Sequence, residues 1–234
     1  MRQIVKRACD AMGIPRYWIL DNMREWRMLF VRIFASLPMQ QMKVRRLERV
    51  EPLRLLFGCG ETSYPGWVGI DCFMRDNVDL LLDLRRPLPF SDASVTYCYS
   101  EHVLEHLSPE EGLMHLCDVL RILKPWGVYR VVVPDSARFF ERYLVNDEAF
   151  FRLAFPWAER PMQAIWHIVN WGGEHRNVLD FAELSFLGTR AGFAEIRTNG
   201  ANGSAIPDLR IDKADPQRVA ESLYVELVKL PGRK

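Results

Sequence analysis

The chain has only five cysteines among 234 residues, and none stands in a C-x-x-C pair. Cys9, Cys59, Cys72, Cys98 and Cys117 are scattered through apolar stretches. An odd, unpatterned set excludes a disulfide framework or a thiolate zinc ribbon and implies reduced thiols in a cytoplasmic setting. An excess of charge is also missing. Thirty-one Lys and Arg stand against 30 Asp and Glu, a formal net of +1, which gives no support for nucleic-acid binding. Long apolar runs are absent. Tyr17–Leu37 is interrupted by Asp21, Arg24, Glu25, Arg27 and Arg32, so a transmembrane span is excluded. Met1–Asp10 is charged and has no apolar centre, so no secretory leader is expected. Internal repeats, low-complexity linkers and a G-x-G-x-x-G fingerprint are lacking too.

What is present is 49% hydrophobic residues, enough for one large domain with a small appendage. Charge is uneven along the chain. Residues 1–51 hold eleven Lys and Arg against five Asp and Glu, a net of +6, which leaves −5 for the rest. In this first segment Trp18, Asn22, Trp26, Leu29, Phe30, Ile33, Phe34 and Leu37 recur at spacings of three and four. The pattern predicts an amphipathic helix with Arg24, Arg27 and Arg32 opposite, ended or bent at Pro38. The apolar stripe is expected to pack on the main domain or over a cleft. A dimer contact or an anionic membrane surface are the alternatives. Glu51-Pro52 marks the boundary, giving an arm over 1–51 and a main domain over 52–234.

From Leu53 the chain alternates. Strands are expected at Leu53–Phe57, Trp67–Ile70, Val78–Leu82 and Val95–Tyr99. A helix follows over Ser108–Leu123. Ser108 is its N-cap, Pro109 its first residue, and Glu111 closes a capping box. Lys124–Gly127 is a turn and Val128–Val133 a β-branched strand. Residues 136–176 break the rhythm with aromatic, helical texture and are expected to form a lid over the acceptor side. Asp180 opens a further helix that Gly192 closes. Phe193–Thr198 and Glu221–Leu230 read as strands, with loop between. This order predicts an α/β, doubly wound, mostly parallel sheet with helices on both faces.

The first strand ends in Gly58-Cys59-Gly60, the second in Asp71 and the third in Asp83. Glycines let backbone approach a ligand, and a lone carboxylate accepts hydrogen bonds from hydroxyl or amino groups. Further along come P-G-W, D-L-R-R-P-L-P-F, S-E-H-V-L-E-H-L, R-I-L-K-P-W-G and V-P-D. In this order the motifs resemble the small methyltransferase-11-like branch of the class I S-adenosylmethionine (SAM)-dependent methyltransferases. The resemblance implies a Rossmann-like, seven-stranded sheet with an antiparallel strand pair at one edge, and SAM as cofactor. It implies that Gly58, Cys59 and Gly60 pass close to the methionine part and that Asp71 meets the ribose. Asp83 with Leu84 faces adenine, and Ser100 and Glu101 border the amino-acid end. Members of the branch often accompany polysaccharide or glycan biosynthesis, so a sugar hydroxyl or amine is the leading acceptor, ahead of another small molecule or a lipid-linked one. Three positions depart from the broader family: Leu56, Thr62 and Thr96 replace an acidic residue, a glycine and an aspartate.

Methyl transfer needs alignment, exclusion of water and, for a hydroxyl acceptor, a base. His175 is the leading candidate, with Glu174 and His167 behind it and His102 as a second position facing the site. His102-Val103-Leu104-Glu105-His106 also matches H-x-x-E-H. It directly follows a strand, before the Ser108 cap, so no metal is expected there, and Glu105 and His106 are expected to brace the loop. Two rival readings stand: a non-catalytic binding protein that keeps the fold, and a zinc hydrolase using His102 and His106.

Overall fold

The computed structural model describes residues 16–232, with side chains described from Asn22 onward. Cys9 and the Met1–Asp10 segment lie outside the described residues, as does the side chain of Trp18. Helix α1 (Arg16–Ala35) and helix α2 (Pro38–Leu47) make the amino-terminal arm. They part at Ser36-Leu37, with Pro38 at the first position of α2, where a missing N–H costs nothing.

The main domain is one seven-stranded sheet in the order β3-β2-β1-β4-β5-β7-β6. The strands are β1 (Arg54–Phe57), β2 (Val68–Asp71), β3 (Leu80–Leu81), β4 (Val95–Glu101), β5 (Leu123–Pro134), β6 (Glu195–Asn199) and β7 (Ser222–Val228). Neighbours from β3 to β5 pair in parallel, whereas β7 is antiparallel to both β5 and β6. This is the sheet of the Rossmann-like class I methyltransferase fold. Strand β5 starts directly at the end of its helix. It pairs Val95 with Leu123, then resumes at Tyr97 and Val128, so Lys124–Gly127 bulges from the strand rather than preceding it.

One face of the sheet is helical. Leu55, Phe57, Val131, Val133, Val225 and Leu227 point there, against Leu116, Val119 and Ile122 of α3 (Pro109–Ile122) and Leu184 and Leu187 of α7 (Phe181–Ala191). The expected caps form. Ser108 and Glu111 close a capping box, Asp180 accepts from the Glu183 N–H, and Gly192 ends α7 at φ 104°. The other face differs from the expectation of helices on both sides. No helix stands in the connections 58–67, 72–79 and 82–94. The first two, of ten and eight residues, are too short for a crossover helix. Leu56, Tyr99, Val132 and Tyr224 are covered instead by Tyr64, Trp67, Ala201 and Ile211 from two loops. Beneath the 200–213 loop, fully buried Arg130 meets Asp212 at 2.5 Å and Glu226 at 3.4 Å. The loop expected over 199–220 ends in one short helix, α8 (Pro216–Glu221), capped by Asp215.

Residues 136–170 fold as α4 (Ser136–Leu144), α5 (Glu148–Ala154) and α6 (Pro161–Asn170). Phe139, Phe151, Phe155, Ile165 and Ile168 give this insertion its own small core. That packing role accounts for most of the aromatics that stood out in the sequence.

The arm lies the opposite way up from a simple amphipathic reading. Met28 and Val31 are buried, but Trp26 is 70% exposed, Phe30 53% and Ile33 58%. The basic face turns inward: Arg24 donates to the His106 carbonyl, Arg27 lies over the Phe73 ring, and Arg32 pairs with Asp83. Acidic and carbonyl groups at the strand tips partner these arginines, which leaves the apolar stripe facing outward.

Candidate active site

In open α/β sheets ligands collect beyond the carboxyl ends of the strands. Here Gly58, Asp71 and the residues after β3 and β4 stand at that edge, on the adjacent strands β3, β2, β1 and β4. Gly58 and Gly60 have φ of 61° and 56°, a left-handed backbone that glycine adopts without strain. A Cβ at Gly60 would meet nothing within 4 Å, so open space faces this glycine. At Gly58 a Cβ would strike the Val103 side chain, which therefore closes that end of the turn. Cys59 faces inward: its N–H donates to the Ile70 carbonyl, and burial pushes its thiol up to about 11. Its thiol packs into the core beneath the turn.

Asp71 is 7% exposed and braces the glycine turn. Its Oδ2 accepts from the Gly60 N–H at 2.8 Å and its Oδ1 from the Phe73 N–H at 2.9 Å. Each carboxylate oxygen has two lone pairs, so one acceptor site per oxygen remains for a diol. Asp71 thus presents carboxylate lone pairs beside the open side of Gly60, with Arg75 Nη1 3.9 Å from Oδ2.

Asp83 is placed differently. Its Oδ1 accepts from the Arg85 N–H and Nε, and its Oδ2 from Arg85 Nη2 and Arg32 Nε. These arginines hold its carboxyl below the ordinary range against the opposing effect of burial. An adenine amino group would reach this carboxylate only after Arg32 released it. Leu84, next along, packs partly buried against the main core.

At the tip of β4 the Ser100 hydroxyl is buried and shares a hydrogen bond with Tyr129 at 2.8 Å, so it faces the sheet interior rather than a ligand. Glu101 accepts from Tyr99 and pairs with Arg218 at 3.0 Å. His102 (φ 54°) belongs to this network. A nitrogen of its ring accepts from Arg218, and Nε2 lies 3.0 Å from the Ser222 hydroxyl. Burial, reinforced by Arg218, drives its pKa far below the usual histidine value. The ring is thus neutral and engaged with the scaffold, and it does not join the cluster formed by the other candidate histidine.

That second cluster gathers Glu105, His106 and His175, with one ligating atom of each within 4.8 Å of the others. The His106 and His175 rings meet edge to face at 5.0 Å, and Trp171 packs against both. Two backbone bonds, from Arg176 and Asn177 to the Glu105 carbonyl, tie the return from the insertion to the tip of β4. Glu174 is exposed and contributes its carbonyl to His106 Nδ1. His167 instead packs among Phe155, Trp157 and Trp171. Sequence spacing could not show the pairing of positions 105 and 106 with 175, because it depends on how the insertion folds back. A cavity of about 440 Å³ lies beside this return segment, lined by Ser136, Phe140, Leu179 and Asp180. Neither the glycine turn nor Asp71 or Asp83 lines it.

No family model and no curated protein matches the chain. Solved structures show a likeness in fold. A SAM-dependent methyltransferase from Archaeoglobus fulgidus is 14% identical, covering 86% of this chain and 98% of its own, at a TM-score of 0.45. One from Methanosarcina mazei is 17% identical over 77% and 94%, at 0.44. PigF with SAH is 15% identical over 92% and 60%, at 0.46. With scores below one half, the fold assignment stands on the strand order itself.

Proposed function

We propose that the chain is a SAM-dependent methyltransferase acting on the hydroxyl or amino group of a glycan or other small acceptor. The observation that carries this reading is the Asp71–Gly60 hydrogen bond. It joins the carboxylate that ends β2 to the glycine turn after β1, beside open space at Gly60. A ribose hydroxyl pair would bind Asp71, and the methionine portion would pass over Gly60. SAM supplies an electrophilic methyl group. The chain's task is then to align the acceptor and keep out water. The return segment with His175 and Glu174 is the acceptor side in this reading.

The outward apolar face of the arm supports an acceptor carried at a membrane surface. Exposed Trp26, Phe30 and Ile33 on α1 are followed by exposed Arg45, Arg46 and Arg49 in and just after α2. This is the pairing of apolar and cationic groups that settles on anionic lipid from the cytoplasmic side.

A non-catalytic reading has its own support. Val103 sits on Gly58, and Arg32 with Arg85 saturates Asp83. The protein's own groups thus occupy part of the ground a nucleoside would use. Incubation with methyl-labelled SAM and a panel of lipid-linked and free oligosaccharides separates the two. Label in a saccharide supports the enzyme, and no transfer to any acceptor despite bound SAM supports the binding protein.

A further inference from the structure

The Glu105 carboxylate is the least satisfied buried charge-bearing group near the strand tips. The residue is 1% exposed, and neither carboxylate oxygen has a hydrogen-bond partner. His102 Nδ1 stands 3.5 Å from Oε1, too poorly directed to bond. An unsatisfied buried polar group ordinarily costs about 1–3 kcal/mol, a cost that a bound cation would remove.

The two histidines beside it are prepared in the same sense. His106 Nδ1 lies 3.1 Å from the Glu174 carbonyl, and His175 Nδ1 lies 2.6 Å from the Ile168 carbonyl. A carbonyl only accepts, so each Nδ1 carries the proton. In a neutral ring Nε2 is then a free lone pair. A carbonyl fixing the far nitrogen is the usual outer support of a metal-binding histidine. Tetrahedral ligands about 2.0–2.2 Å from an ion lie roughly 3.3–3.6 Å apart. One ligating atom of each of the three residues lies within 4.8 Å of the others, so the trio must close by about 1 Å to hold one ion.

We infer that Glu105, His106 and His175 form a site for a first-row divalent cation, zinc or a close analogue, with a vacant coordination position on the acceptor side. Two imidazoles and one carboxylate suit such an ion, and three protein ligands are the number that leaves a position for substrate. The inference deepens the methyl-transfer reading and rests on it for its purpose. A bound acceptor hydroxyl would lose its proton to water near neutral pH, because a coordinated cation lowers the pKa of its oxygen ligand. It also replaces the expected pair His102 and His106 with a different trio, because Arg218 and Ser222 hold the His102 ring.

The test uses the whole chain, stripped with chelator and titrated with cobalt(II) alone, whose visible absorption reports coordination. One equivalent should bind and raise the thermal midpoint. Glu105→Gln, His106→Ala and His175→Ala should each weaken binding by more than about a hundredfold, beyond the 10–100-fold of an outer-shell change. Cys117→Ser, at an exposed thiol, should leave it unchanged. Failure of the unaltered protein to bind cobalt, binding that survives all three substitutions, or loss on Cys117→Ser would overturn the site. Calorimetry with S-adenosylhomocysteine on the same metal-free protein keeps the two readings apart. Cobalt binding without nucleoside binding leaves the metal site and removes methyl transfer. The reverse result removes the metal site alone.

Discussion

Arg32 Nε and Nη2 each lie 2.8 Å from one oxygen of Asp83, which joins the amino-terminal arm to the tip of the third strand. Arg85 strengthens the join by bridging Asp83 to Glu25 on the same arm. The arm is therefore latched onto Asp83, the position the methyltransferase proposal gives to adenine. A ligand that needs Asp83 must compete with a partly exposed ion pair worth about 0.5–1 kcal/mol. Arg32→Ala should accordingly tighten S-adenosylhomocysteine binding about two- to fivefold in calorimetry. Weaker binding in the variant would mean that the arm completes the pocket instead of competing for it.

The outward stripe on α1 makes a second expectation. The protein should sediment with phosphatidylserine-containing vesicles at low salt, less at high salt, and not with neutral vesicles. Trp26→Glu should weaken the association by about tenfold or more, given roughly 2 kcal/mol for burying such a side chain. Indifference to anionic vesicles at low salt would contradict the membrane role, and a concentration-dependent dimer broken by Trp26→Glu would assign the face to a second copy.

His115 carries a pH dependence of stability. It is buried between Phe57 and Tyr129, and burial lowers its pKa from 6.5 to about 4. Between those values the unfolded chain binds the proton and the folded one does not, so stability rises with pH across the window and falls on acidification. The shift is worth about 3 kcal/mol at full extent. His115→Leu should flatten the slope of unfolding free energy between pH 6.5 and 4 by an amount of this order. An unchanged slope would show that His115 takes up its proton without unfolding.

Buried Arg130 is the cation of an internal network. Its removal leaves Asp212 with the Asn202 N–H and Glu226 with Arg197. Because both carboxylates retain a partner, Arg130→Met should cost about 3 kcal/mol, the lower end for breaking a buried pair. That corresponds to a fall of about 6–12 °C in thermal midpoint for a chain of this size. A fall of less than a degree would mean the network relaxes freely.

The sheet was legible because its signals are local. Runs such as Val128–Val133 and caps such as Ser108 with Glu111 act within a few residues of chain, and both appear where expected. The glycine turn and Asp71 were legible for the same reason. The arm's orientation was not, because its arginines answer to Asp83 and the His106 carbonyl, which lie far along the chain. Helix periodicity marks two faces and does not say which one turns inward when the charged face finds partners. Ser100 and His102 illustrate a second limit. A position at a strand tip leaves open whether a side chain faces ligand or sheet, and Tyr129 and Arg218 decide that here. The meeting of Glu105 with His175 depended on the packing of a whole inserted core.

The most direct measurement is calorimetric titration of the intact chain with S-adenosylhomocysteine, beside Asp71→Ala. The account predicts one saturable site, with affinity reduced at least about tenfold when the ribose carboxylate and its support of Gly60 are removed. No heat of binding in the unaltered protein, or equal affinity in both, would contradict it.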